Sequence, residues 1–214
     1  MSRIIIAGCS YSTNERDLPT CWPDILRDRT EHTIVNLSMP GGSNDRIYRM
    51  IHELHEHDPI KPDDRLIIQH TGQNRFEITS HARNRTGRDV ELREYGSHLH
   101  YKVNSWKRSK DQPLKQFQRM WEEHYTVNEY NRLYYSRRHR EFMAYARSNQ
   151  WQVYHMWAAQ YSNYMRHTET YDNVIDVSTV TENLEYRLAP DDDGHLNVRG
   201  HQIVADHVAR VLGL

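Results

Sequence analysis

The chain has 214 residues, a length that suits one domain. Hydrophobic residues make up 37% of it and the mean hydropathy is −0.94, so a thin core and a heavily charged surface are predicted. The net charge of −1 supplies no global field to attract nucleic acid.

Arginine outnumbers lysine 23 to 5, which suits planar, bidentate contacts and interfaces but names no partner. Cys9 and Cys21 have neither metal-site nor redox-motif spacing. The N-terminus runs directly into an apolar strand, without a basic segment and cleavage site of the signal type. No apolar run approaches the roughly 20 residues that span a bilayer. The expectation is a soluble, cytoplasmic protein with no membrane partner.

Ile4-Ile5-Ile6-Ala7 is a short, β-branched run that ends at Gly8-Cys9-Ser10. It reads as a buried strand with a sharp turn after it. Tyr11 to Leu18 is a polar loop, and Trp22-Pro23-Asp24-Ile25-Leu26 opens a helix with proline in its first turn. Thr33 to Leu37 is a second strand, followed by a tight turn from Ser38 to Asp45. Ser43 fits an N-cap, and Ile47, Met50, Ile51 and Leu54 then mark one buried helix face. Arg65 to His70 is a third strand, ending in Thr71-Gly72-Gln73-Asn74.

Residues 76–112 break this rhythm. They are rich in Arg, His and Tyr, show little apolar periodicity, and read as a long insertion of the functional or disordered kind. Helical segments follow at 113–123 and 127–148, so that 76–150 is an insertion and helical segment inside a single domain, 1–214. Trp151 to Trp157 is a fourth strand and Asn173 to Val177 a shorter fifth. The last helix runs from Val198 to Leu212, with Ile203, Val204, Val208, Val211 and Leu212 facing inward. Strands alternating with helices imply an α/β fold: a flavodoxin-like three-layer sandwich, with a parallel sheet of about five strands between helices.

Parallel strands end on one edge, so Ser10, Gly41 and Asn74 can meet there. Asp191-Asp192-Asp193-Gly194-His195, just before the last helix, adds a histidine with a carboxylate three residues upstream. Four blocks in this order resemble the SGNH, or GDSL-type, serine hydrolases. Gly8-Cys9-Ser10 resembles the block around the nucleophile. Asn36 to Gly41 resembles the second block, Gly72-Gln73-Asn74 the third, and Asp192 to His195 the last.

The resemblance implies a serine esterase that works through an acyl-serine intermediate, with no metal or cofactor. It makes Ser10 the nucleophile and His195 the base. Asp192 would orient the imidazole, with Asp191 and Asp193 beside it as substitutes. The Ser10 and Gly41 N–H groups and the Asn74 side chain would form the oxyanion hole. A hydroxyl needs such a base, and the developing oxyanion needs donors already in place. One position departs from the pattern: Cys9 stands where the family has an aspartate that supports the loop. Cys9 as nucleophile is the weaker reading, because neighbours along a strand point to opposite faces.

The expected substrate is a small-molecule or carbohydrate ester. An O-acyl group on a glycan is preferred because the insertion and nearby helices carry Tyr95, Tyr101, Trp106, Trp121, Tyr125, Tyr130, Tyr134 and Tyr135. Two alternatives stay open: an inactive binding or structural protein on the same fold, and an acyltransferase using the same triad. His52-Glu53-Leu54-His55-Glu56-His57 is not a His-Glu-x-x-His site and reads as a solvated helix end. His98 and His100 have no matching ligand set. Arg137-Arg138-His139-Arg140 reads as a solvated helix face or a contact with a second copy of the chain.

Overall fold

Ile4, Ile5 and Ile6 are all fully buried. Successive residues on a strand face opposite sides, so this strand must be covered on both. Burying each isoleucine contributes about 1.5–3 kcal/mol. The structure, a computed structural model, describes residues 2–13, 18–71, 75–79, 98–102, 116, 128–157, 171–187 and 195–214.

In chain order the elements are β1 (Arg3–Ala7), a 3-10 turn (Ser10–Ser12), α1 (Trp22–Arg27), β2 (Thr33–Asn36), α2 (Asn44–His57) and β3 (Arg65–His70). There follow β4 (Arg75–Thr79), β5 (His98–Lys102), α3 (Asn128–Ser148), β6 (Gln152–Trp157) and β7 (Val174–Ile175). The chain closes with α4 (Ser178–Thr181), a 3-10 turn (Leu184–Tyr186) and α5 (Val198–Leu212).

Five strands form one all-parallel sheet in the order β2-β1-β3-β6-β7. Numbered among themselves, these strands run 2-1-3-4-5, the flavodoxin-like order. Ala7 pairs with Ile68, and His70 pairs with Trp157, so β1, β3 and β6 finish near one another. The chain leaves β1 toward one side and β3 toward the other, which opens a crevice beyond their carboxyl ends.

Ile4, Ile6, Ile67 and Met156 pack against Trp22, Leu26, Val204 and Val208, under α1 and α5. Ile5, Ala7, Leu66 and Ile68 pack against Ile47, Ile51, Leu54 and Phe142, under α2 and α3. Helices therefore cover both faces of the sheet. Ser43 caps α2, its Oγ accepting the Arg46 N–H at 3.2 Å.

Several expectations need correction. The 76–112 stretch is not without regular structure: β4 and β5 pair antiparallel, with Phe76 opposite Tyr101 and Ile78 opposite Leu99. The rest of that stretch lies outside the described residues, as does the helical reading of 113–123 except at Gln116. On α5, Val204, Val208 and Leu212 are buried and Ile203 partly so, but Val211 is exposed because it lies at the border of the stripe.

The Arg137–Arg140 run is not uniformly solvated. The three arginines are exposed, but His139 turns into the core and is 3% exposed. His52 and His55 are half-buried, not a solvated end. They lie against Tyr145, and His55 Nδ1 accepts the Ile60 N–H at 3.0 Å.

Candidate active site

The site begins where β1 stops. A Cβ on Gly8 would lie 2.6 Å from Gln69 Oε1 and 2.8 Å from Gln69 Cβ, so only glycine lets the end of β1 lie this close to β3. Cys9 is extended, and the chain then closes into the 3-10 turn, with the Ser12 N–H donating to Cys9 O at 3.0 Å. Ser10 is thus the first residue of a turn, not the last of a strand. This turn, and not strand alternation, separates it from its neighbour. Cys9 joins the core at 1% exposure, and its Sγ accepts Gln69 Nε2–H at 3.3 Å.

His195 arrives from the other end of the chain. Its Nε2 is 2.8 Å from Ser10 Oγ, across 185 residues of sequence. Both side chains are buried. The Tyr11 ring stacks on the His195 imidazole. Residues just after His195 are tied down firmly. Leu196 bridges Arg187, and the Asn197 N–H donates to Tyr186 O at 2.7 Å. The Asn197 side chain donates to Glu185 O and Arg187 O and accepts the Gly200 N–H, capping α5.

Gly41 lies in the turn after β2 at φ 74°, a left-handed conformation that favours glycine. That turn is fastened to the end of β1. The Met39 N–H donates to Gly8 O at 3.2 Å, and the Gly42 N–H returns to Met39 O at 3.0 Å. The Ser10 and Gly41 N–H groups have no acceptor among the described residues. Asn74 and Asp192, with Asp191 and Asp193, lie outside the described residues. Of the five positions singled out from sequence, the structure therefore describes Ser10, Gly41 and His195. It brings Ser10 and His195 into contact, and it ties the Gly41 turn to Gly8.

Sequence reasoning missed several supporting residues. Asn44, fully buried, donates its amide to Thr71 O and accepts the Thr71 N–H, both at 3.1 Å. It thereby ties the start of α2 to the residue that follows β3. Gln69 and Tyr11 were also passed over. Only the residue types carried a signal: a polar glutamine inside an apolar strand, and a tyrosine beside Ser10. His201 accepts the Trp22 N–H, and burial, with His195 nearby, pushes its pKa down to about 4.

A second polar cluster lies on the α2 and α3 face of the sheet. His70 Nε2 and His155 Nδ1 are 3.0 Å apart, and Tyr48 Oη is 3.1 Å from His139 Nδ1. Trp157 stacks on His70, and Tyr171 packs against His155. A cavity of about 160 Å3 borders His139, His155, Tyr171 and Arg147; neither Ser10 nor His195 lines it. Burial chiefly, with the neighbouring imidazoles, holds the His70 pKa well below its ordinary value. Burial and then His139 bring His155 to about 3; burial and then Arg147 and Arg140 bring His139 to about 4. No group of three His, Cys, Asp or Glu side chains among the described residues is arranged to hold a metal ion.

No helix among the described residues is long and apolar enough to cross a membrane. A buried hydroxyl beside an imidazole can lose its proton as it attacks an electrophile, which is the chemistry of a serine nucleophile.

Comparison with solved structures gives matches along nearly the whole chain. One is a psychrotrophic esterase, EstA, from Pseudoalteromonas sp., in a structure inhibited by monoethylphosphonate. It has 11% identity and a TM-score of 0.56 over 100% of this chain and 97% of that one. The lipase Lip_vut3 from a goat rumen metagenome matches at 12% identity and TM-score 0.57, over 99% and 97% of the two chains. A member of the lipolytic protein G-D-S-L family from Veillonella parvula DSM 2008 matches at 13% identity and TM-score 0.57, over 100% and 99%. The likeness is one of fold: the chain has the α/β architecture of the SGNH, or GDSL-type, proteins. No match was found among curated protein sequences. Over residues 11–192 the sequence matches the family described as "Family of unknown function (DUF6071)", and the chain belongs to that family.

Proposed function

We propose that the protein is an SGNH-type serine hydrolase that cleaves an ester through an acyl-serine intermediate at Ser10. The observation that carries this reading is the 2.8 Å approach of His195 Nε2 to Ser10 Oγ, both buried at the sheet's carboxyl edge. The matched structures named as an esterase, a lipase and a lipolytic protein support it.

With its Nδ1 protonated, His195 accepts the Ser10 proton at Nε2 as Oγ bonds to the acyl carbon. The oxyanion takes the N–H groups of Ser10 and Gly41 and the Asn74 amide. His195 then gives its proton to the departing alcohol, leaving acyl-Ser10. Water attacks the acyl carbon and gives a proton to His195. As the Ser10–acyl bond breaks, that proton returns to Ser10 and a carboxylic acid leaves. Asp192 is the carboxylate that holds the imidazole. The proposed substrate is an O-acylated carbohydrate, for which the Tyr- and Trp-rich insertion would supply stacking surfaces.

The experiment is hydrolysis of a short-chain aryl ester by wild type and Ser10→Ala. The reading requires turnover by wild type and its loss, about a thousandfold or more, in the variant. Equal rates would overturn it. Acyl transfer to added alcohols at the expense of acid would instead mark a transferase.

A further inference from the structure

We infer that Gln69 is the positioning residue for Ser10, a neutral amide doing from β3 what the family's aspartate does from the position of Cys9. The inference rests on Ser10 being the nucleophile. Gln69 is fully buried, one residue from the end of β3. A glutamine amide offers two acceptor sites and two donor hydrogens. All four are used. Oε1 accepts the Cys9 N–H at 3.1 Å and the Ser12 hydroxyl at 2.9 Å. Nε2 donates to His70 O at 3.1 Å and to Cys9 Sγ at 3.3 Å.

The orientation of this amide is dictated by its partners. The Cys9 N–H can only donate and His70 O can only accept, so exchanging oxygen and nitrogen would oppose donor to donor and acceptor to acceptor. A buried polar group satisfied on every side is rigid, and leaving one partner unmet is expensive.

The frame extends beyond Gln69. Trp22 Nε1–H donates to Ser12 Oγ at 3.2 Å, and Asn36 Nδ2–H donates to Ser12 O at 2.8 Å. The turn is thus gripped at the amide before Ser10 and at both the side chain and carbonyl of Ser12. Three elements, β3, α1 and β2, supply the grip. Ser10 sits inside it, with its hydroxyl toward His195 and its own N–H outside the Gln69 network. Swinging Cys9 would misplace both groups, and a misplacement of about 1 Å can cost about a hundredfold in rate.

The test uses a fluorophosphonate, because the natural substrate is not needed. Ser10 Oγ bonds to phosphorus, fluoride leaves, and the hydroxyl proton passes to His195. The rate of adduct formation at Ser10 is read by mass spectrometry, on protein that circular dichroism reports as folded. Gln69→Met keeps the volume and removes every hydrogen bond; it is expected to label about tenfold more slowly or worse.

Gln69→Glu supplies a readout that a purely structural role would not move. Once ionised, its carboxylate cannot donate to His70 O, so its rate relative to wild type should fall as pH rises from 6 to 8. If Gln69→Met does not fold, Ser12→Ala leaves the other three Gln69 bonds in place, removes the Ser12 hydroxyl from Gln69 and from Trp22 Nε1–H, and should slow labelling about threefold. Wild-type labelling by folded Gln69→Met or by Ser12→Ala, or a pH-independent ratio for Gln69→Glu, overturns the inference. If wild type takes no label at Ser10, the nucleophile assignment falls and this inference with it. If wild type labels and the variants label equally well, only this inference falls.

Discussion

The Tyr11 ring lies parallel to the His195 imidazole, with centroids 5.2 Å apart and planes 15° from parallel. Tyr11 is the residue after the proposed nucleophile, so one short turn places both the hydroxyl and the surface against which its base rests. Tyr11→Ala removes that surface and lets the imidazole swing away from Ser10. Ester hydrolysis should fall about tenfold, while Tyr11→Phe, which keeps the ring, should retain most of it. Steady-state rates of the two variants check this. Equal losses in both would mean that stacking is not what matters.

His195→Ala should abolish hydrolysis nearly as completely as Ser10→Ala, because among the described residues the hydroxyl then has no base within 3 Å. The double variant should be no worse than either single one, since groups that act as a unit are not additive. Losses that multiply in the double variant would show that the two residues act separately. Rates with a short-chain aryl ester decide between these outcomes.

Gly8→Ala should disturb the site without touching any reacting group. The added Cβ would come within 2.6 Å of Gln69 Oε1, so the glutamine or the strand must move. A loss of about 1–3 kcal/mol in stability is expected from such overpacking, with a fall in activity alongside. Urea unfolding measures the first. Unchanged stability would mean that β1 and β3 yield more easily than their spacing implies.

The buried imidazoles make stability depend on pH. The folded pKa values of His70, His139, His155 and His201 lie below the ~6.5 of a free histidine. The unfolded chain therefore takes up protons as pH falls through ~6.5, while the folded protein holds back until about 4 at His139 and about 3 at His155. The stability contribution is full above ~6.5 and drains away as pH falls toward those values, by up to ~1.4 kcal/mol per pH unit for each group. The urea midpoint should thus be clearly lower at pH 5 than at pH 7.5. A flat or rising midpoint would contradict the burial of this array.

Much of this was legible in the chain. Hydrophobic runs placed all five sheet strands, and helical spacing placed α2 and α5, because each buries one face or two. The β4–β5 pair was not seen, although Phe76, Ile78, Leu99 and Tyr101 alternate with polar neighbours as strand residues do. The many charges around them masked the period. His139 was lost inside an arginine run for the same reason. Its place among Tyr135, Phe142 and Ala146, all buried, shows a stripe that the charged flanks had hidden.

At the candidate site, short blocks at element ends single out Ser10, Gly41 and His195, and the fold brings Ser10 and His195 together and ties the Gly41 turn to Gly8. No such block marks Gln69 or Asn44. Each works through side-chain bonds to residues 57 to 60 or 27 positions away, and no local pattern announces such a partner. In sequence, Cys9 is only a departure from the SGNH pattern. In the fold, its thiol is one of the four partners of Gln69.

The most direct measurement is to map the residue that reacts with a fluorophosphonate. Intact protein should gain one adduct, and peptide mapping should place it on Ser10. Ser10→Ala and His195→Ala should gain none on the same timescale. An unmodified wild-type protein, or an adduct on Cys9 or any other residue, would contradict the assignment of Ser10 as the nucleophile.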